Sequence, residues 1–215
     1  MITSARVNVA TVRVYLGLGA NLGDAAATLA WAVRALDEMR DVRLRQVSRL
    51  YATAPWGVED QPEFRNAVAA LDVTTPRDRR PADAALDLLA RLKEVERAAG
   101  RRPGPRWGPR ELDVDLLVFG RHRILVARGA EARSLDADSS PTKAARLLEV
   151  PHRDAGERLF VLAPLADVAP GLVPPGWHVS VETRRRQVAA TEATDVVRAI
   201  GIWDPRRANW TGRNA

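Results

Sequence analysis

The stretch that most constrains this chain is L-D-V-D-L-L-V-F, residues 112 to 119. Carboxylate and aliphatic residues alternate with the period of a strand, on which residues two apart share a face. Asp113 and Asp115 are therefore expected to project together, with Leu112, Val114, Leu116 and Val118 on the opposite face. Two adjacent carboxylates repel each other and resist burial. A divalent cation between them removes that penalty. A small set of hard oxygen ligands suits Mg²⁺, which completes its shell with water and phosphate oxygens. Taken alone, the pair is better read as an exposed strand end with two solvated aspartates. Its neighbours shift the balance, because Arg101, Arg102, Arg106 and Arg110 lie just upstream with Trp107 among them. Guanidiniums facing a metal–carboxylate pair supply what a polyphosphate needs, bidentate donors and balancing charge.

The rest of the chain reads as alternating elements. Residues 12 to 18 alternate as a strand, and Gly17, Gly19, Asn21 and Gly23 are expected to make the turn after it. Asp24 is a good N-cap for a helix with Leu29, Val33, Leu36 and Met39 on one face. Residues 42 to 50 read as a second strand and 64 to 73 as a third. Pro81 opens a second helix, with Leu88, Leu92, Val95 and Ala99 on one face and Gly100 as its stop. Residues 112 to 119 are the fourth strand, and 159 to 166 a short helix. The order predicts an α+β fold, a ferredoxin-like βαββαβ core whose sheet is layered with helices. Residues 127 to 146 read as an inserted loop, and 180 to 215 as an arginine-rich extension that Val196, Val197 and Ile200 dock.

Composition excludes several classes. The 215 residues suffice for one substantial core. There is no cysteine, which removes disulfides, cysteine-ligated metals and a thiol nucleophile. No apolar run approaches the ~20 residues of a membrane helix, and the N-terminus lacks the layout of a secretory signal. A soluble, cytoplasmic protein is expected. The net charge is +6, and all the basic residues except Lys93 and Lys143 are arginine. That excess raises the question of nucleic acid. The G-x-G-x-x-G dinucleotide spacing and the Walker sequence are both absent.

Four ordered motifs resemble one known family, the 6-hydroxymethyl-7,8-dihydropterin pyrophosphokinases of folate synthesis. They are L-G-L-G-A-N-L-G-D from Leu16, S-x-x-Y-x-T-x-P-x-G-x-x-D-Q-P-x-F-x-N from Ser48, R-W-G-P-R-x-L-D-x-D from Arg106, and V-P-H followed by E-R-L-F-V-L-A-P-L from Val150. The match covers most of residues 12 to 179, the expected pyrophosphokinase domain. The resemblance implies transfer of pyrophosphate from ATP to the pterin hydroxymethyl group, leaving AMP. It implies that Asp113 and Asp115 hold two Mg²⁺ ions, and that Arg110 and a mobile-loop arginine, Arg101, assist transfer. Glu96, Arg102, Trp107, Arg110, Leu116, His152 and Arg158 are the implied ATP-binding positions. Thr53, Ala54, Trp56, Phe64, Asn66 and Phe160 are the implied pterin-binding positions, with Asn66 reading the ring edge.

Physical chemistry supports the pterin assignments independently. A flat heteroaromatic ring gains from stacking between aromatic faces, and an amide offers both donor and acceptor. Core packing alone would also explain Phe64 or Phe160 taken singly. Asn21 is expected to tie backbone groups near the pterin pocket. Phe64 stands where many members carry tyrosine, and Ala54 where proline is commoner. An insertion of about twenty residues moves the V-P-H element away from the fourth strand. The expected partners are ATP and the pterin, with no nucleic acid and no membrane, and the expected state is a monomer. A catalytically impaired homologue and a basic RNA-binding module on a ferredoxin-like sheet are the alternatives. The second would need exposed aromatics on its strands, which are few here.

Overall fold

A computed structural model describes residues 8–55, 60–102, 108–132, 147–191 and 197–212. Strand β1 (Val9–Ala20) leads into helix α1 (Ala25–Asp37). Asp24 caps that helix by accepting from the Ala27 N–H at 3.0 Å. Strands β2 (Val42–Val47), β3 (Leu50–Thr53) and β4 (Phe64–Pro76) follow, then helix α2 (Pro81–Ala98). Pro81 stands in the first turn of α2, and Gly100 ends it with φ +88°. Strands β5 (Asp113–Phe119), β6 (Ile124–Ala127) and β7 (Leu147–Val150) lead to helices α3 (Leu159–Val168) and α4 (Val181–Ala189). The described chain closes with strands β8 (Val197–Asp204) and β9 (Asn209–Gly212).

The main sheet is antiparallel and runs β5-β1-β4-β3-β8-β9, with β2 also paired to β4. Strands β6 and β7 form a separate ribbon. Helices cover both faces. Val14, Leu16 and Leu18 of β1 pack with Leu29, Leu36, Leu88 and Leu92 of α1 and α2. Tyr15 of β1 and Val68 of β4 pack instead with Leu162 and Leu165 of α3 and Val181 of α4. This is the period-2 alternation of a sheet buried on both sides.

Four details differ from the sequence reading, each for a local reason. The strand expected over residues 42 to 50 is two strands. Ser48 breaks it, because its hydroxyl takes the Val68 N–H at 2.9 Å, a donor that a strand carbonyl would otherwise receive. Gly17 and Gly19 are not turn residues but lie inside β1, and of the four expected turn residues only Gly23 has positive φ, at +58°. Val118 does not share a face with Leu112, Val114 and Leu116. The β1–β5 register jumps from Leu16↔Leu116 to Tyr15↔Val118, so Leu117 is an extra residue that sends Val118 to the α3 side. The arginine-rich segment beyond residue 180 forms more than a docked end. It carries α4 and the β8–β9 hairpin, which extends the sheet through β3. Trp210 anchors that hairpin by donating its indole N–H to the Ser48 carbonyl at 2.9 Å.

Candidate active site

The site is built by register. Gly19 lies opposite Asn66 on β4 and opposite Asp113 on β5. Gly17 lies opposite Val68 and Asp115 in the same way. Residues opposite one another in a sheet point to the same side. One row therefore runs amide, glycine, carboxylate across three strands. Because the glycines carry no side chain, a hollow opens between Asn66 and the aspartates. A Cβ on Gly19 would stand 3.2 Å from Asn66 Oδ1, and one on Gly17 would stand 3.4 Å from Leu117. The hollow has a volume of about 130 Å³ and lies on the α3 side of the sheet. Phe64, Phe160 and Val161 form walls around it, with Thr53, Ala54, Arg110 and Arg158 at its margin.

The two ends of the hollow differ in chemistry. At the neutral end Asn66 Nδ2 donates to Thr53 Oγ1 at 2.7 Å, and both side chains are buried. That bond fixes the amide, leaving Oδ1 as an acceptor toward the hollow. Asn21 braces the same end as expected. Its amide donates to Gln61 Oε1 and the Pro62 carbonyl, both at 3.0 Å, and its Oδ1 accepts the Arg110 N–H at 2.8 Å. One buried side chain thereby links the segment before Phe64 to the segment before Asp113.

At the charged end, Asp113 is held by two guanidiniums. Arg101 donates to one oxygen and Arg110 to the other, the latter at 2.6 Å. Burial opposes ionisation of Asp113, but Arg101, then Arg110 and Lys93 outweigh it and hold the carboxyl well below the usual range. Arg101 also donates to the Leu112 carbonyl at 3.0 Å and is almost wholly buried. Glu96 lies behind this end and does not line the hollow. It is fully buried, accepting from Lys93 Nζ at 2.5 Å and from the Val114 N–H at 2.7 Å. Burial raises its pKa against the opposing charge of Lys93.

Other expected positions are scattered. Arg158 borders the hollow, pairs with Asp154 at 2.6 Å and sits 5.8 Å from the Phe160 ring centre. Leu116 is buried in the core on the α1–α2 side, and Leu117 lines the hollow in its place. His152 donates its backbone N–H to the Leu117 carbonyl at 2.8 Å but does not line the hollow, and Arg102 is exposed. Trp56 and Trp107 lie outside the described residues. One residue escaped the sequence reading altogether. Arg128, just after β6, has a buried Nε–H with no acceptor among the described residues; burial lowers its pKa, against the charges of Asp115, then Glu96 and Asp113. Its only sequence signal was membership of an arginine-heavy chain.

The donor set fits a hard divalent cation. Asp113 and Asp115 share one side of one strand and line the same hollow. No group of three or more His, Asp or Glu side chains converges among the described residues. An ion held by the pair would complete its shell with water and substrate oxygens, which is the habit of Mg²⁺. A hollow bordered by aromatic and amide side chains, next to a strand carboxylate pair one of whose members is held by two guanidiniums, fits an enzyme site of the phosphoryl-transfer class.

Comparison with known proteins narrows the class. Residues 15–170 match the family described as 7,8-dihydro-6-hydroxymethylpterin-pyrophosphokinase (HPPK). A 2-amino-4-hydroxy-6-hydroxymethyldihydropteridine pyrophosphokinase of Pseudomonas aeruginosa is 39% identical over 168 residues, spanning 78% of this chain and 87% of that protein. The enzyme of the same name from Bacillus subtilis is 35% identical, spanning 72% of this chain and 76% of that one. The chain belongs to the HPPK family. Among solved structures, Plasmodium falciparum HPPK-DHPS with pteroate superposes with a TM-score of 0.67 at 13% identity. That alignment covers 95% of this chain and 48% of the other, and it speaks for the fold alone. Among the described residues no helix is long and apolar enough to cross a membrane.

Proposed function

We propose that the two ends of the hollow divide the work of the family's reaction. As a pyrophosphokinase of folate synthesis, the chain transfers pyrophosphate from ATP to the hydroxymethyl oxygen of 6-hydroxymethyl-7,8-dihydropterin, and AMP leaves. In this reading the pterin ring lies between Phe64 and Phe160, with its edge on Asn66 and Thr53. The hydroxymethyl group then points along the row toward Asp113 and Asp115. Those two carboxylates would hold two Mg²⁺ ions, which would neutralise phosphate charge and lower the pKa of the attacking hydroxyl. The single observation that carries the reading is the register, since one glycine, Gly19, separates the ring-reading amide from the carboxylate.

The resting charge arrangement supports a further step in the same reading. Lys93, Arg101 and Arg110 match the three carboxylates Glu96, Asp113 and Asp115 in number, and Arg128 is a fourth cation beside them. A polyphosphate entering there gives Arg101 and Arg110 new acceptors and frees Asp113 oxygens for metal. The guanidiniums then take the charge that develops on the transferring group, while the hollow keeps the hydroxyl in line with the β-phosphorus. Arg158 serves the phosphates from the margin of the hollow; the loop from Arg101 to Pro109, read to exclude water, lies partly outside the described residues. We further read β1 to β5 as a ferredoxin-like βαββαβ core with its second strand broken at Ser48, acting as a monomer in the cytoplasm.

The test is product analysis. Purified protein with ATP and Mg²⁺ should release AMP in step with added hydroxymethyldihydropterin, and almost none without it. AMP or ADP release that ignores the pterin would contradict the reading, as would tight, salt-sensitive RNA binding without turnover.

A further inference from the structure

Phe160 stands at the first turn of α3, and that helix is weakly specified by its own sequence. It has ten residues, no side-chain cap at Arg158, and Pro164 in its interior, which removes one ladder donor. Its place against the sheet is set from outside. Leu162 and Leu165 pack on the sheet, but the hydrophobic effect that buries them is non-directional and does not by itself specify the helix's orientation. The directional tie lies at the other end of the helix. Asp167 accepts from the Tyr51 hydroxyl at 2.9 Å, from the Arg49 backbone N–H at 3.0 Å, and from the Arg49 guanidinium at 2.6 to 3.2 Å. Gln46 adds a donor to the Asp167 carbonyl at 3.4 Å.

All of these donors sit on β2 and β3 or at the break between them. Strand β3 also carries Thr53, whose register partner on β4 is Phe64. One carboxylate therefore couples the strand pair bearing one aromatic wall to the helix bearing the other. The site is arranged for permanence. Tyr51 is buried, and burial with the adjacent Asp167 charge holds its phenol above the ordinary range, so it remains a donor. The Arg49 guanidinium lies 5.5 Å from the Tyr51 ring centre and closes the group from outside. Strand β2 ends just before the Ser48 break, so Arg49 is free of the β4 ladder and turns its own N–H toward α3.

We infer that Asp167, held by Arg49 and Tyr51, is a positioning residue that sets the spacing between the Phe64 and Phe160 walls and so determines affinity for the pterin ring. It touches neither substrate. It acts through α3, two helical turns from Phe160, and its effect should fall on the pterin far more than on ATP, because Phe160 lies within the helix while Arg158 stands at its cap and is tied to Asp154. The inference rests on the reading of Phe64 and Phe160 as the pterin walls.

The experiment compares Asp167→Ala, Asp167→Asn, Tyr51→Phe and Phe160→Ala by steady-state kinetics with each substrate varied, alongside thermal melts. Asp167→Ala should raise the pterin KM about tenfold, a misplacement effect, with the ATP KM within about twofold. Asp167→Asn, which keeps acceptors for Tyr51 and the Arg49 N–H, should recover most of the loss, and Tyr51→Phe should fall between. Unchanged pterin KM in Asp167→Ala, or equal rises in both KM values, would overturn the inference, whatever the melts show. If Asp167→Ala does not fold, Tyr51→Phe and Asp167→Asn carry the same test, and pterin KM values equal to the parent in both would overturn it. Phe160→Ala separates the two claims. If it leaves pterin KM unchanged, the wall reading itself fails; if it raises KM while the Asp167 variants do not, only the positioning claim fails.

Discussion

The two ends of the hollow lie only a glycine apart, yet they are finished to different degrees. At the neutral end the amide of Asn66 is already committed to Thr53, and Asn21 braces the segment next to it. A ring could enter without rearranging these bonds. At the charged end Arg101 and Arg110 are bonded to Asp113, the carboxylate that a metal would need. That end pairs its charges within the chain, although the buried Arg128 Nε–H beside it has no acceptor among the described residues. The contrast teaches that the neutral end is fixed by a hydrogen bond between uncharged side chains, whereas the charged end is held by pairing guanidiniums with a carboxylate.

The comparison can be broken most forcefully at the charged end. Asp115→Ala should lower turnover by at least about a hundredfold while leaving the melting temperature near that of the parent, as measured by AMP release and calorimetry. Near-normal turnover would remove Asp115 from the metal role. The neutral end should yield a smaller and more selective effect. Phe64→Ala should weaken pterin binding about tenfold (~1.4 kcal/mol) and ATP binding hardly at all, and equal losses would make Phe64 a core residue only. The smallest effect belongs outside the hollow and calibrates the other two. Glu182 pairs with Arg185 at 2.8 Å and Arg186 at 2.7 Å, which lower its pKa from 4.5 to about 2. Its folded value is depressed, so its contribution is present above pH 4.5 and is lost as pH falls through 2. Glu182→Gln should cost about 0.5 kcal/mol at pH 7, measured by denaturant melts, and progressively less as pH falls through 2. Turnover at pH 7 should not change.

Sequence made the charged end legible because its logic is local. Asp113 and Asp115 are two residues apart on one strand, and their arginines precede them directly. The neutral end needed the register as well, since nothing in the sequence says that Gly19 faces Asn66. The glycines were misread for that reason. Glycine usually signals a turn, but here two of them are strand residues whose missing side chains make the hollow. Leu117 was equally hidden, because a single inserted residue exchanges the two faces of β5 from there onward. The β8–β9 hairpin was obscured by polarity. Its arginines, such as Arg198 on Glu63 at 2.8 Å, are neutralised by partners that only the fold brings near. Glu96 is an ATP-binding position only by the resemblance, and its full burial behind Asp113 was hidden because a charged residue on a helix face is usually solvated.

The central claim is that the ring site and the metal–polyphosphate site are separate and differently prepared. Calorimetric titration of the parent and Asp115→Ala with the pterin alone, and with a non-hydrolysable ATP analogue plus Mg²⁺, tests it most directly. The account predicts that the pterin affinity stays within about twofold while the Mg²⁺–analogue affinity falls by about tenfold or more. Parallel losses for both ligands, or an unchanged Mg²⁺–analogue affinity, would contradict it.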